Sequence, residues 1–129
     1  MKEAEYLWVD ARGQVKELLE GMECSVPCTV RASFPKGRPE GNVVTWKEYA
    51  NVSTPIPVVD EIVFQVDLWT ADQESIFALS QGVNRALVGA GFARRFAGPA
   101  AWRDEGMGYY HRVLRFGRKV DKRFMRLID

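Results

Sequence analysis

The chain has only two cysteines, one histidine and no apolar run near the ~18 residues that a membrane helix needs, and each scarcity removes a class of function. Cys24 and Cys28 flank Pro27 without the two further ligands that zinc requires, so they read as reduced structural thiols. His111 stands alone, there is no Gly-x-Ser-x-Gly elbow, and neither cysteine lies in a recognisable nucleophile setting. Gly89 and Gly91 are not followed by Lys-Ser/Thr and precede a strand, which excludes a phosphate loop. The acid pairs Asp60-Glu61 and Asp104-Glu105 are sequence neighbours, whose side chains point apart, so they read as solvated acids and not as an acid-base pair. The acidic N-terminus lacks an apolar signal region, which sets the expectation of a cytoplasmic protein with no membrane partner. No cofactor or metal site is expected. Lys and Arg number 18 against 17 for Asp and Glu, so net charge alone asks for no polyanion.

What is present is a soluble-type composition, 47% hydrophobic and 27% charged over 129 residues, enough for one core and one domain spanning 1–129. Its most ordered passage runs from Asp60 to Phe96. Ile62, Phe64, Val66 and Leu68 alternate with Val63, Gln65, Asp67 and Trp69, a strand with one wholly apolar row. Thr70 or Asp72 can cap a helix whose stripe is Ile76, Leu79, Val83, Ala86 and Leu87. Gly89 and Gly91 end it, and Phe92 opens the next strand.

Around this unit, Ala4, Leu7, Trp8, Ala11, Val15, Leu18 and Leu19 predict a first helix from about Lys2 to Glu20, stopped by Gly21. Residues 28–34 alternate as a first strand, and VVTWKEYANVS (43–53) as a second, less enclosed than the third. Thr54 to Val59 is a proline-punctuated connection. Gly98 to Gly108 is a turn region. Tyr109 to Phe116 closes the sheet as a hairpin with 92–97, and 117–129 is a basic C-terminal tail that could form a short amphipathic segment. The order αβββαββ predicts an α+β two-layer sandwich, two helices on a mainly antiparallel sheet of about four to five strands, with a parallel pair flanking the second helix kept open.

Two groups of residues stand out as contact candidates. Pro35 to Asn42 is too rich in proline and glycine for a regular element, so Pro35, Lys36, Arg38, Pro39, Glu40 and Asn42 are candidates for contacts between subunits. Arg94, Arg95, Arg115, Arg118, Lys119, Lys122 and Arg123 are candidates for a basic edge. Residues 1–30 carry six acids and three bases, and residues 112–129 seven bases and two acids, a polarity that suits head-to-tail packing of copies. Trp46, Tyr49, Trp69 and Phe92 could offer stacking faces to nucleic acid, although strand alternation turns about half of such rings into a core.

Several local patterns then coincide. Phe34-Pro35 before the Pro/Gly loop, Thr45-Trp46 with Glu48, Tyr49 and Asn51, Gln65 to Trp69, Gly91-Phe92 with Arg94, and Tyr110 with Arg115-Phe116 together resemble the tail terminator or tail completion proteins of long-tailed bacteriophages. The resemblance covers residues 28–118 and rests on order and spacing. Trp46 stands where tyrosine is the more usual residue, and the segment after Phe116 is longer than the pattern requires. The resemblance implies a non-enzymatic structural protein of the virion, a sixfold ring that caps the tail tube and meets the head-completion proteins of the neck at the head-tail joint, assembled in the host cytoplasm. Its implied partners are copies of itself, the tail tube protein and the neck protein, with DNA passing through the lumen. Another neck component, such as a head-closure or adaptor protein, a small nucleic-acid-binding module, and a small enzyme joining His111 to a carboxylate are the alternatives.

Overall fold

The computed structural model describes residues 8–33, 41–99, 103–104 and 108–128. Helix α1 (Arg12–Glu20) is followed by β1 (Thr29–Arg31), β2 (Val43–Ser53), β3 (Val59–Thr70), α2 (Gln73–Gly89), β4 (Ala93–Ala97), β5 (Arg103–Asp104), β6 (Tyr109–Asp121) and β7 (Arg126–Leu127). The main path through the sheet is β1-β2-β3-β6-β4, and the two-residue strands β5 and β7 each pair with β6. Only β1 and β2 run parallel; every other pairing is antiparallel. The chain is therefore the α+β layered fold that the alternation of periods predicts. The parallel option takes a particular form: β3 and β4 run in one direction on either side of α2, with β6 inserted between them.

The apolar row of β3 is the centre of the core. Ile62, Phe64, Val66 and Leu68 are wholly buried, each contributing roughly 1.5–3 kcal/mol of apolar burial. Phe64 meets Phe92 edge-on at 6.3 Å and Trp46 at 6.4 Å. Val15 and Leu19 of α1 and Ile76, Leu79, Val83 and Leu87 of α2 close over the same face. The other face of the sheet carries no helix among the described residues.

The ends of α2 show why it starts and stops where it does. Of the two possible caps it is Asp72 that serves: its carboxylate accepts from the Ser75 N–H at 2.9 Å and from the Ser75 hydroxyl at 2.9 Å. At the far end, Gly91 takes φ +100, Gly91 N–H bonds Val88 O at 3.0 Å and Phe92 N–H bonds Leu87 O at 3.0 Å. This is a Schellman closure, in which only the left-handed residue needs to be glycine. Gly89 remains helical, and Phe92 serves the closure and the core; the strand begins one residue later, at Ala93.

Three boundaries differ from the sequence reading. The first helix begins at Arg12, not in the Lys2 region: the Asp10 carboxylate holds Arg12 N–H at 3.0 Å and its guanidinium at 2.9 Å, a local turn, and Ala11 leaves helical geometry. Residues 1–7 lie outside the described residues. The first strand is cut to Thr29–Arg31, with Ala32 and Ser33 exposed in a bend. Most consequentially, the segment taken as the start of a basic tail is the last third of β6. Val120 continues the buried row of Leu114 and Phe116, and Gly117 sits where a Cβ would fall 2.5 Å from Glu61 Oε1. The chain then turns back so that β7 pairs with Val120 and Asp121.

Among the described residues no helix is long and apolar enough to cross a membrane.

Candidate functional site

The helix-free face of the sheet carries a connected set of polar and aromatic side chains. Asp67 on β3 accepts from His111 Nε2 on β6 at 2.7 Å and from the Gln65 amide at 2.9 Å; Gln65 Oε1 in turn accepts from Arg115 Nε at 3.1 Å. The carboxylate can only accept, so the imidazole carries its proton on Nε2. Trp69 stacks flat on His111, 3.7 Å between centroids, and its indole N–H donates to Thr45 Oγ1 at 3.3 Å. Burial pushes the Asp67 carboxyl upward, but the bonds from His111 and Gln65 and the charges of His111 and Lys47 outweigh it and hold the group below its ordinary value.

The carboxylate that the enzyme alternative asked for is therefore beside His111. The imidazole is only 10% exposed, with Asp67 on one nitrogen and Trp69 on one ring face. A hollow of about 230 Å³ lined by Thr45, Lys47, Asp67 and Trp69 adjoins the pair, and His111 is not among the residues lining it. The pair ties β3 to β6, and Asp67 is its member that faces the hollow. The acids of Asp60-Glu61 do point apart, but they are not solvated loop acids: both lie in β3, whose alternation buries Asp60 beside Lys122 at 3.3 Å, while Glu61 on the other face holds Arg95 at 2.6 Å. Among the described residues no three His, Cys, Asp or Glu side chains come together as a metal-ligand set.

Arg115 crosses this face between two rings. Its guanidinium lies 4.0 Å from the centroid of Tyr49 and 5.0 Å from that of Phe96. Both rings are placed by β-bulges, one at Tyr49 in β2 and one at Arg95 in β4, each of which lets an extra residue enter the strand and re-aims its neighbour. Tyr49 and Phe96 are about half exposed. Of the four rings considered as stacking faces, only Tyr49 is open; Phe92 is core, Trp46 packs against the core and Trp69 covers His111.

The basic residues do not form one edge. Arg95 is bound to Glu61, Lys122 to Asp60, and Arg123 to Asp121 at 2.9 Å. Arg118 is buried, its Nη1 donating to Ala90 O at 2.5 Å, where it places a cation against the C-terminal carbonyls of α2. Lys119 is exposed on the outer face, and Arg115 is held as described. Arg94, like Arg118, turns to the helix side, where it lies beside Arg112 of β6 and Arg85 of α2, two residues that linear reading did not single out as partners. Of the loop candidates, Asn42 is committed to its own chain: its side-chain amide donates to Pro27 O at 3.0 Å and its carbonyl accepts from Thr29 N–H at 2.9 Å. Pro35, Lys36, Arg38, Pro39 and Glu40 lie outside the described residues.

Asp-x-Arg turns were also missed. Asp10-Arg12 and Asp121-Arg123 show the same geometry, backbone N–H and Nε to one carboxylate oxygen and Nη2 to the other. Two acids two residues ahead of an arginine, each next to an element end, were the available signal.

Comparison of the chain with protein-family models, with curated proteins and with solved structures finds no match.

Proposed function

We propose that this chain is a structural component of a bacteriophage tail, a tail terminator whose copies close into a sixfold ring on the tail tube and join it to the neck. The observation that carries the reading is that one sheet ends in two different open edges. On one side β1 covers only Val43 to Thr45 of β2, leaving the outer edge of the strand from Trp46 to Ser53 without a partner among the described residues; on the other, β4 is a five-residue strand exposed along its whole length. A ring made by head-to-tail packing needs two unlike surfaces per copy, and an open strand edge is a ready template for the next chain. Val52 beside one edge and Phe96 on the other are large exposed apolar groups. The residues behind the resemblance also converge: Gln65 pairs with Arg115 and Phe64 with Phe116 across β3 and β6, and Gly91-Phe92 closes the helix between β3 and β4.

The test is the particle. Mass analysis and reconstruction of purified virions should find this chain in a ring at the head end of the tail tube. A chain absent from virions and monomeric at high concentration overturns the proposal, and a position elsewhere in the neck converts it to a head-closure or adaptor role. Shortening the loop at 35–42 should leave the monomer folded and impair tail completion.

A further inference from the structure

We propose that the cleft between α2 and β4 is a binding site for a phosphate-class oxyanion, held by the guanidinium groups of Arg85, Arg94 and Arg112. The cleft has a volume of about 420 Å³, and its wall includes Ser80, Asn84 and Phe77 with no carboxylate among the residues that line it. The three cations come from three places in the chain: Arg85 from the fourth turn of α2, Arg94 from β4 and Arg112 from β6.

Arg112 is the built part of the site. Its Nε donates to Gly98 O at 3.0 Å and its Nη1 to Ser80 Oγ at 2.9 Å, while the Ser80 hydroxyl donates to Ile76 O at 2.7 Å. These bonds use two of five N–H groups and fix the plane of the guanidinium. Burial, and next the charge of Arg94, pull its pKa below the ordinary arginine value, and no carboxylate lines the cleft. Arg85 and Arg94 are exposed and form no ion pair among the described residues. Arg12, Arg95 and Arg123 are paired with carboxylates, whereas Arg85, Arg94 and Arg112 share a cleft whose lining holds none; Arg85 also borders the neighbouring hollow that contains Glu17 and Glu23.

The donor pattern selects the ligand class. Three guanidinium groups approaching from helix and sheet sides suit an anion with three or four acceptor oxygens, where a carboxylate offers two. Phe77, half exposed at the rim, adds an apolar face against which a sugar or base could lie. Phosphate of a nucleic-acid backbone and free phosphate share this chemistry. The inference is independent of the tail reading, since ring assembly does not require it.

The experiment titrates the full chain with inorganic phosphate against chloride at equal ionic strength, reading the thermal midpoint, and in parallel measures anisotropy of labelled single-stranded and duplex DNA. Arg85→Gln with Arg94→Gln is the test variant, both residues being exposed and outside the bonds that hold Arg112. Arg95→Gln, on the opposite face, is the control. Phosphate should raise the midpoint of wild type and control but not of the double variant. If the source is a nucleic-acid backbone, DNA affinity should also fall about tenfold per arginine and the salt slope by about one for each. Protection by phosphate without DNA binding supports a free phosphate source. No phosphate protection, or DNA binding that the double variant leaves unchanged, overturns the proposal; suppression of copy-to-copy association by the double variant without phosphate protection overturns it in favour of a carboxylate from a second copy.

Discussion

Replacing Asp67 by alanine removes the acceptor at the centre of the helix-free face. His111 Nε2 and the Gln65 amide, at 2.7 and 2.9 Å, both lose it, in surroundings where the His111 and Asp67 side chains are 10% and 16% exposed. A hydrogen bond to a charged group contributes about 1.5–3 kcal/mol net when buried, and the adjoining hollow admits some water, so two such bonds set the loss at about 2–4 kcal/mol. For a domain of this length about 1 kcal/mol moves the midpoint by roughly 3–5 °C, so Asp67→Ala should melt about 6–20 °C lower. Asp67→Asn keeps the shape and one acceptor and should cost less. The sign of the pH dependence follows from the carboxyl being held below its ordinary value in the folded state. Such a group stabilises the fold at pH above its unfolded pKa of about 3.9, and that contribution disappears as pH falls through the lower folded value. Urea unfolding of wild type and Asp67→Asn from pH 7 to pH 3 should therefore give a gap that is constant down to about pH 5 and closes below about pH 4. A gap of equal size at pH 3 and pH 7, or an alanine variant within about 0.5 kcal/mol of wild type, would refute the reasoning.

Asp72→Ala deletes the cap of α2 and should cost about 1 kcal/mol, read as a shift of the urea midpoint at unchanged slope. Gly91→Ala forces a side chain into φ +100 and brings its Cβ to 3.1 Å from Arg118 Cζ; a loss of about 1–2 kcal/mol is expected, whereas Gly13→Ala, in open space within α1, should stabilise or be neutral in the same assay. Cys28 is half-buried, and that burial, then the neighbouring Cys24, raises its thiol above the ordinary value. Iodoacetamide near pH 8 should label Cys28 more slowly than an unfolded control, and equal rates would count against that environment.

How far the fold was legible depends on where each signal lay. Strand β2 matches its predicted bounds, and the β3 row and the α2 stripe, apart from the half-buried Ala86, are buried as their periods require, because burial on one face imposes the period on the residues. The last third of β6 is hidden by its own composition: Arg118, Lys119 and Asp121 dilute the apolar alternation. Arg118 satisfies its buried head on Ala90 O and Ile128 O, groups that no local pattern places beside it. The pairs His111 with Asp67 and Arg112 with Ser80 are 44 and 32 residues apart, so the register of β3 on β6 and the packing of α2 had to exist before either could be seen. Bulges are invisible to a two-residue period altogether.

That last point governs the surface. In a regular β4, Arg94 and Phe96 would share the helix side and Arg95 would stand alone on the other. The bulge at Arg95 breaks the count: Arg94 pairs opposite Phe116 on the core side, while Phe96 pairs opposite Arg115 on the outer side with Arg95 free to reach Glu61. One inserted residue thus separates Arg94 from Phe96 and sends each to a different assembly, Arg94 to the cleft with Arg85 and Arg112, Phe96 to the ring that covers Arg115. The bulge at Tyr49 does the matching work across the sheet, setting the second ring over Arg115. Two faces with different chemistry are therefore built from one run of basic and aromatic residues, and the same strand that ends the sheet also decides which arginine enters the cleft beside α2.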